Sequence, residues 1–124
     1  MKQRTLASIC PDFPEWPERW MGLEKDRVYG EGLLEAMRPF AESLVDSKLA
    51  SSTVKRHLDN LWLLGGEIIR NVSAHNDYGE PPQNQLRDAV GPDGGPYCRH
   101  LHTEEEERAY DATCRKLHKF LSER

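Results

Sequence analysis

The fold is decided by residues 53–72, which read TVKRHLDNLWLLGGEIIRNV. Apolar or small residues recur there at spacings of four and three: Val54, Leu58, Leu61, Gly65, Ile68 and Val72. This spacing follows one face of an α-helix. Polar residues such as Asp59 and Glu67 fall on the remaining surface. We therefore predict a central core helix over residues 52–72 with one side in solvent.

Gly65 is the unusual member of this apolar stripe. Glycine costs about 1 kcal/mol of helix propensity relative to alanine, so a compensating contact is expected. We interpret Gly65 as a place where the backbone of another helix approaches closely; the alternative is that the helix breaks at Gly65 and Gly66. Just upstream, the hydroxyl side chains of residues 51–53 are predicted to cap the helix start.

A second helix is predicted over residues 31–47. Its apolar face carries Leu33, Met37, Phe40 and Leu44, again at helical spacing. Pro39 interrupts the pattern and predicts a kink or a restart, because its ring collides with the carbonyl four residues earlier.

A third helix is predicted over residues 103–121. Thr103 and Glu106 have the spacing of a capping box at its start. The glutamates at 104–107 suit the positive end of the helix dipole and are interpreted as a solvated first turn. The buried face should carry Tyr110, Cys114, Leu117 and Leu121.

These helices predict an all-α single domain, a small bundle of three main helices. Residues 1–30 form a Pro/Trp-rich arm with a short helix near 17–23, and residues 31–72 form a helical hairpin. Residues 73–102 form a long loop with a possible short helix at 83–90, and residues 103–124 carry the C-terminal helix. Trp16 and Trp20 are expected to hold the arm against the bundle.

The overall charge balance does not by itself indicate binding to nucleic acid. The chain of 124 residues has a formal net charge of −4, so a DNA-binding role requires a local basic patch. No apolar run approaches the roughly 20 residues that span a bilayer, so we expect a cytoplasmic protein without a membrane partner. Cys10, Cys98 and Cys114 are expected to be reduced thiols.

Five residues could form a metal site: Cys98, His100, His102, Cys114 and His118. Thiolates and imidazoles are the ligands that zinc prefers, and Cys114 and His118 lie one helical turn apart. Their spacing matches no standard zinc motif, and Cys114 also fits a buried apolar stripe. We predict no metal and no cofactor, with these five residues as the candidates if a metal is bound.

No pattern in the sequence predicts catalysis. A nucleophile elbow of the form G-x-S-x-G is absent, and the glycines at 91–95 do not lead into the Gly-Lys-Ser/Thr of a phosphate loop. We therefore expect a protein that is not an enzyme.

Basic residues cluster where the central helix begins. Lys48, Lys55 and Arg56 lie beside the predicted helix N-terminus, and Arg70 follows further along the helix. A helix N-terminus with nearby cations suits a phosphate backbone. The sequence therefore predicts DNA contact through these four residues.

Residues 40–62, including KLASSTVKRHLDNL at 48–61, resemble the N-terminal core-binding domain of tyrosine recombinases, the phage integrases. In that family a helix ends near a short turn and a threonine starts a second helix with basic residues and two leucines. The resemblance implies a SAM-like four-helix bundle that grips DNA phosphates. The sequence departs from the family after Gly65 and in its acidic balance, and the catalytic domain is missing. The resemblance therefore implies an accessory, a regulator or a relic of a mobile element.

The alternative prediction is a protein-interaction module, antitoxin-like or otherwise regulatory. Trp16, Trp20 and Trp62, or the stripe around Gly65, would then form the interface, because tryptophan is enriched at binding hot spots. Salt separates the two: phosphate binding weakens steeply with ionic strength, whereas an apolar interface changes little.

Overall fold

The computed structural model describes residues 3–123. Its helices are α1 (Leu6–Ile9), α2 (Trp16–Trp20), α3 (Glu24–Val45), α4 (Ser51–His75), α5 (Pro82–Ala89) and α6 (Glu104–Ser122), with a 3-10 turn at Phe13–Glu15. Within the described residues there is no strand, only a single antiparallel bridge between Gly91 and Gly94. The predicted all-α class is confirmed.

Helix α4 forms the centre of the bundle. Every residue of its predicted stripe is buried, including Gly65. The helix runs without interruption through Gly65 and Gly66, so the alternative of a break there is wrong. It ends at Asn76, whose φ of 51° places it in the left-handed conformation that commonly terminates a helix.

The group that approaches Gly65 is an indole ring. The side chain of Trp20 lies against Gly65, and its other edge faces Gly30 of α3. Its Nε1–H donates to the carbonyl oxygen of Trp62 at 3.0 Å. The prediction of a close helix backbone at Gly65 is therefore wrong, because α2 contributes a large side chain that fills the space a Cβ would take.

Helix α3 begins seven residues earlier than predicted, at Glu24. Asp26 holds this start, since one carboxylate oxygen accepts the backbone N–H groups of Gly22 at 3.0 Å and Leu23 at 2.9 Å. The other oxygen accepts the Tyr78 hydroxyl at 2.5 Å. Asp26 is only 2% exposed, and these bonds satisfy its buried charge. It thereby joins the start of α3 to the segment that follows α4.

Pro39 lies inside α3 without restarting it. The helix continues from Glu24 to Val45, although proline removes one backbone donor. The neighbouring side chains of Met37, Phe40 and Ala41 are buried and hold the helix in place by packing. The predicted restart is wrong because this tertiary burial outweighs the local preference of proline.

The predicted hydroxyl cap of α4 is also wrong. Ala50 occupies the cap position and no side chain caps the helix. Ser51, Ser52 and Thr53 lie within the first turn instead. In α6, by contrast, the capping box of Thr103 and Glu106 forms as predicted.

Helix α6 closes the bundle along α4. Tyr110, Cys114 and Leu117 are buried as predicted, while Leu121 is half-buried. Phe120 packs against Phe40 of α3, with ring centroids 5.6 Å apart.

The arm and the long loop contain more helix than predicted. The arm is folded onto the bundle through α1, the 3-10 turn and α2, with Trp16 only 1% exposed. The loop region is shortened by the extension of α4 to His75 and by α5, which lies close to the predicted 83–90. Its single buried leucine, Leu86, joins the core.

No helix in residues 3–123 is both long enough and apolar enough to cross a bilayer.

Replacing Gly65 with alanine should destabilise the fold by about 1–3 kcal/mol. The added Cβ overlaps the Trp20 ring, and this overpacking outweighs the gain of about 1 kcal/mol in helix propensity. The matched control is Gly66→Ala, whose Cβ would lie 3.5 Å from the Cδ1 atom of Trp20, an ordinary contact. Urea unfolding followed by circular dichroism measures both variants. Equal stability of the two would contradict the packing of Trp20 against Gly65.

Asp26→Asn should lower the free energy of unfolding at pH 7 by roughly 1–3 kcal/mol. Burial opposes the charge of Asp26, but hydrogen bonds from Tyr78, Leu23 and Gly22 outweigh it and lower the pKa of the carboxyl group. Its stabilisation is therefore complete above the unfolded-state pKa of about 3.9 and is lost as pH falls through the lower folded-state pKa. Urea titrations at about pH 7 and at successively lower pH values, down through the ordinary carboxyl pKa of about 3.9, measure the difference from wild type. A difference that does not shrink on acidification would be inconsistent with this role.

Candidate nucleic-acid interface

Arg4 fixes the turn between α3 and α4. Its Nε donates to the carbonyl oxygen of Val45 at 2.8 Å and its Nη2 to that of Ser47 at 2.8 Å. Its Nη1 reaches the hydroxyl oxygen of Ser51 at 3.1 Å. The guanidinium thus joins the end of α3 to the start of α4. Sequence reasoning missed Arg4, because its partners lie more than forty residues away in the chain.

Three cations lie exposed around the start of α4: Lys48 in the turn, Arg56 in the second turn of α4, and Lys116 on α6. We call these three residues the basic surface. Among residues 3–123, no carboxylate forms an ion pair with any of them. Their charges are therefore available to an external anion. Lys48 and Arg56 were predicted, whereas Lys116 was not.

His57 links the two helices of the basic surface. Its Nδ1 lies 2.7 Å from the Thr113 hydroxyl oxygen. The same hydroxyl oxygen lies 3.2 Å from the carbonyl oxygen of Ala109 and accepts a hydrogen bond from Asn60 at 3.0 Å. Burial lowers the pKa of His57, and the positive charges of Lys116 and Arg56 lower it further. Both cations therefore act electrostatically on the same imidazole.

Lys55 is less available than predicted. Its ammonium group pairs with the carboxylate of Asp59 one turn later on α4, at 2.5 Å. The hydrogen bond from this pair raises the pKa of Lys55 and keeps it charged. Because the pair is exposed and easily exchanged for other partners, Lys55 can contribute only at the edge of the basic surface.

Arg70 does not join the other predicted cations. Positions 56 and 70 on α4 are about 21 Å apart at the usual helical rise. Arg70 is half-buried, its Nη1 is buried without a hydrogen-bond partner, and its charge acts on the Cys98 thiol. Arg70 therefore lies apart from Lys48 and Arg56, and its contact with phosphate stays a prediction. The loop around Cys98 covers the part of α4 that carries it.

Charge is segregated along α6. The glutamates at 104–107 are exposed in its first turn, whereas the exposed Arg115, Lys116 and Lys119 follow two to four turns later. Because Thr113 of α6 contacts His57 of α4, the basic half of α6 lies beside the start of α4. The acidic first turn consequently lies away from the basic surface.

The five candidate metal ligands do not converge. Cys98 and Cys114 are buried, whereas His100 and His102 are exposed in the loop and His118 is half-buried on α6. In the part of the chain that the structure describes, no three Cys, His, Asp or Glu residues are arranged to hold a metal ion. Burial raises the pKa of Cys114 to about 12, so this thiol remains protonated and packs as an apolar group.

The interface predicted for a protein partner is largely internal. Trp16 is buried, Trp20 fills the space at Gly65, and Gly65 itself is inaccessible. Trp62 is the tryptophan that retains a sizeable exposed surface, at 37%. The predicted interface is therefore wrong for Trp16, Trp20 and the Gly65 stripe, because these residues pack inside the fold, whereas a role for Trp62 stays a prediction.

The titration of His57 tests the geometry of the basic surface. Its pKa should lie below the ordinary value of 6.5, and Lys116→Gln should raise it, because one of the nearby positive charges is removed. Lys119→Gln is the matched control and should have a smaller effect. Proton NMR of the imidazole signals measures all three proteins. A pKa at or above 6.5, or equal shifts in the two variants, would refute the arrangement.

No family model, curated protein or solved structure matches this chain. The resemblance of residues 40–62 to core-binding domains therefore stays a prediction.

Proposed function

We propose that the protein is a non-enzymatic module of the cytoplasm that binds duplex DNA through its phosphate backbone. The observation that carries this proposal is the basic surface: Lys48, Arg56 and Lys116 are exposed and form no ion pairs within residues 3–123. Lysine and arginine supply most backbone contacts in protein–DNA complexes.

The start of α4 adds to the attraction for phosphate. This helix of 25 residues has no side-chain cap, so its first backbone N–H groups keep their capacity to bind an anion. Its dipole places partial positive charge at the same end. Arg4 holds the turn in place through bonds to Ser47 and Ser51, which limits the loss of conformational freedom on binding.

The uneven charge distribution is compatible with a net charge of −4. DNA is attracted to the basic surface and repelled by the glutamates at 104–107, so the field orients the protein as it approaches. Backbone contacts carry no sequence information, which favours an accessory role in which another component selects the site. The resemblance to recombinase core-binding domains is consistent with such a recombination-associated role.

The chemistry of the potential nucleophiles supports a non-enzymatic role. Burial raises the pKa values of Cys10 and Cys114 to about 12, so both thiols stay protonated and unreactive at neutral pH. The Nδ1 atom of His57 is occupied by Thr113, a structural contact between α4 and α6.

A regulatory module that binds a protein partner is the second candidate. It is favoured by two exposed aromatic side chains, Tyr97 at 82% and Trp62 at 37%. Binding through these rings should depend little on ionic strength, unlike binding through the basic surface.

The double variant Arg56→Glu/Lys116→Glu should reduce affinity for a short duplex at low salt by at least about tenfold, because each change replaces attraction to phosphate with repulsion. For wild type, the slope of log affinity against log salt should be about −2.7 for three phosphate contacts, falling toward about −0.9 in the variant. Fluorescence anisotropy with labelled DNA measures both quantities.

The control carries the same change in charge elsewhere. Arg87 on α5 and Arg108 in the acidic half of α6 are exposed and lie outside the basic surface. Arg87→Glu/Arg108→Glu should change affinity less than the test variant. Equal losses in both variants, or no binding by wild type at low salt, would overturn the proposal.

A further inference from the structure

An open groove runs between α4, α5 and the loop before α6. It has a volume of about 410 Å³, and we call it the acidic groove. Its lining includes Glu67 and Ile68 from α4, Gln85, Asp88 and Ala89 from α5, and Tyr97 from the loop. It lies on the C-terminal half of α4, whereas the basic surface surrounds the N-terminal half.

Three acceptor groups line this groove, and one of them, the Glu67 carboxylate, also accepts a hydrogen bond from the Cys98 thiol. Glu67 and Asp88 contribute carboxylates from different helices. The Nε2 of Gln85 donates to the Asp77 carboxylate at 3.0 Å and so holds that carboxylate nearby. The side-chain carbonyl oxygen of Gln85 remains as a further acceptor. In the described part of the chain no basic residue lines the groove. Its electrostatic complement is a cation with several donors.

The remaining lining is apolar. Ala89 is half-buried and Ile68 is 4% exposed, so Ala89, with a small part of Ile68, offers a surface on which an aliphatic stem can pack. Arginine combines such a stem with a planar head that has five N–H donors. The acceptors lie on two sides of an apolar floor. This arrangement suits the planar guanidinium of arginine better than the compact ammonium group of lysine.

Tyr97 stands exposed at the rim of the groove. Its side chain is 82% accessible, although the loop that carries it is anchored on both sides. On one side the Gly95 N–H donates to Asp111 at 3.3 Å, and on the other Cys98 is buried in the core. The ring is therefore held where it can stack on a guanidinium.

We infer that the acidic groove is the docking site for an arginine-bearing extended segment of a partner protein. The guanidinium lies between Glu67 and Asp88, its stem packs on Ile68 and Ala89, and Tyr97 covers it. A segment of a protein fits better than a free small molecule, because the groove is open and small ligands favour sites that enclose most of their surface. Tyrosine and arginine are both enriched at protein interfaces. This inference does not depend on DNA binding.

The test uses a short acetylated and amidated peptide that alternates arginine with glycine, and the same peptide with citrulline in place of arginine. Citrulline keeps the shape of the side chain but removes its charge. With the isotope-labelled full chain, the arginine peptide should shift the amide NMR signals of residues 67–71, 85–89 and 95–98. The citrulline peptide should bind at least about tenfold more weakly, a difference that corresponds to about 1.4 kcal/mol.

Matched variants separate the groove from general charge attraction. Glu67→Gln/Asp88→Asn should weaken the arginine peptide by about tenfold, while Glu18→Gln/Glu105→Gln, with the same change in net charge at exposed positions outside the groove, should change affinity less than about twofold. Tyr97→Ala, which alters an exposed side chain, should also weaken binding. Absence of saturable shifts at these residues, equal binding of the citrulline peptide, or equal weakening in the two double variants would overturn the inference.

Discussion

The packing of the Trp20 ring against Gly65 is the contact on which the rest of the structure depends. It attaches α2, and with it the arm, to the middle of α4, while its opposite edge rests at Gly30 of α3. One side chain thereby sets the positions of three helices. The hydrogen bond from Trp20 to the Trp62 carbonyl fixes the orientation of the ring. Because α3 and α4 are held in this way, the position of the turn between them is defined. Arg4 further stabilises this turn by hydrogen bonds to the Val45 carbonyl oxygen and the Ser51 hydroxyl oxygen.

Much of this fold could be predicted from local patterns. The stripe of α4, the apolar face of α3 and the capping box of α6 follow from residues close together in sequence, and all three form as expected. The predictions for the start of α3 and for the packing at Gly65 failed because residues distant in sequence determine the structure there. The start of α3 depends on Asp26 and its bond to Tyr78, and the packing at Gly65 depends on Trp20, so neither could be found from periodicity. Pro39 stays helical because its neighbours are buried.

The residues of the candidate site likewise include some that local sequence patterns predicted and some that they did not. Lys48 and Arg56 were predicted because they flank a predicted helix start, and they lie exposed there. Lys116 joins them only through the packing of α6 on α4 at His57 and Thr113, for which the sequence offers no short-range signal. Arg70 lies on the same helix but far from its start, under a loop whose path could not be predicted. The Cys and His candidates for a metal separate because their cysteines belong to the core, whereas His100 and His102 face solvent.

The two proposed binding sites lie at opposite halves of α4 and carry opposite charge. The basic surface at the N-terminal half binds a phosphate backbone, and the acidic groove at the C-terminal half binds an arginine-bearing partner. A module built in this way could bring a protein to DNA without chemistry of its own. The most direct test of the central claim maps the DNA contact by NMR, by adding a short duplex to isotope-labelled protein at low salt. We expect amide shifts concentrated at residues 48–56 and 113–119. Shifts concentrated elsewhere, or none at low salt, would contradict it.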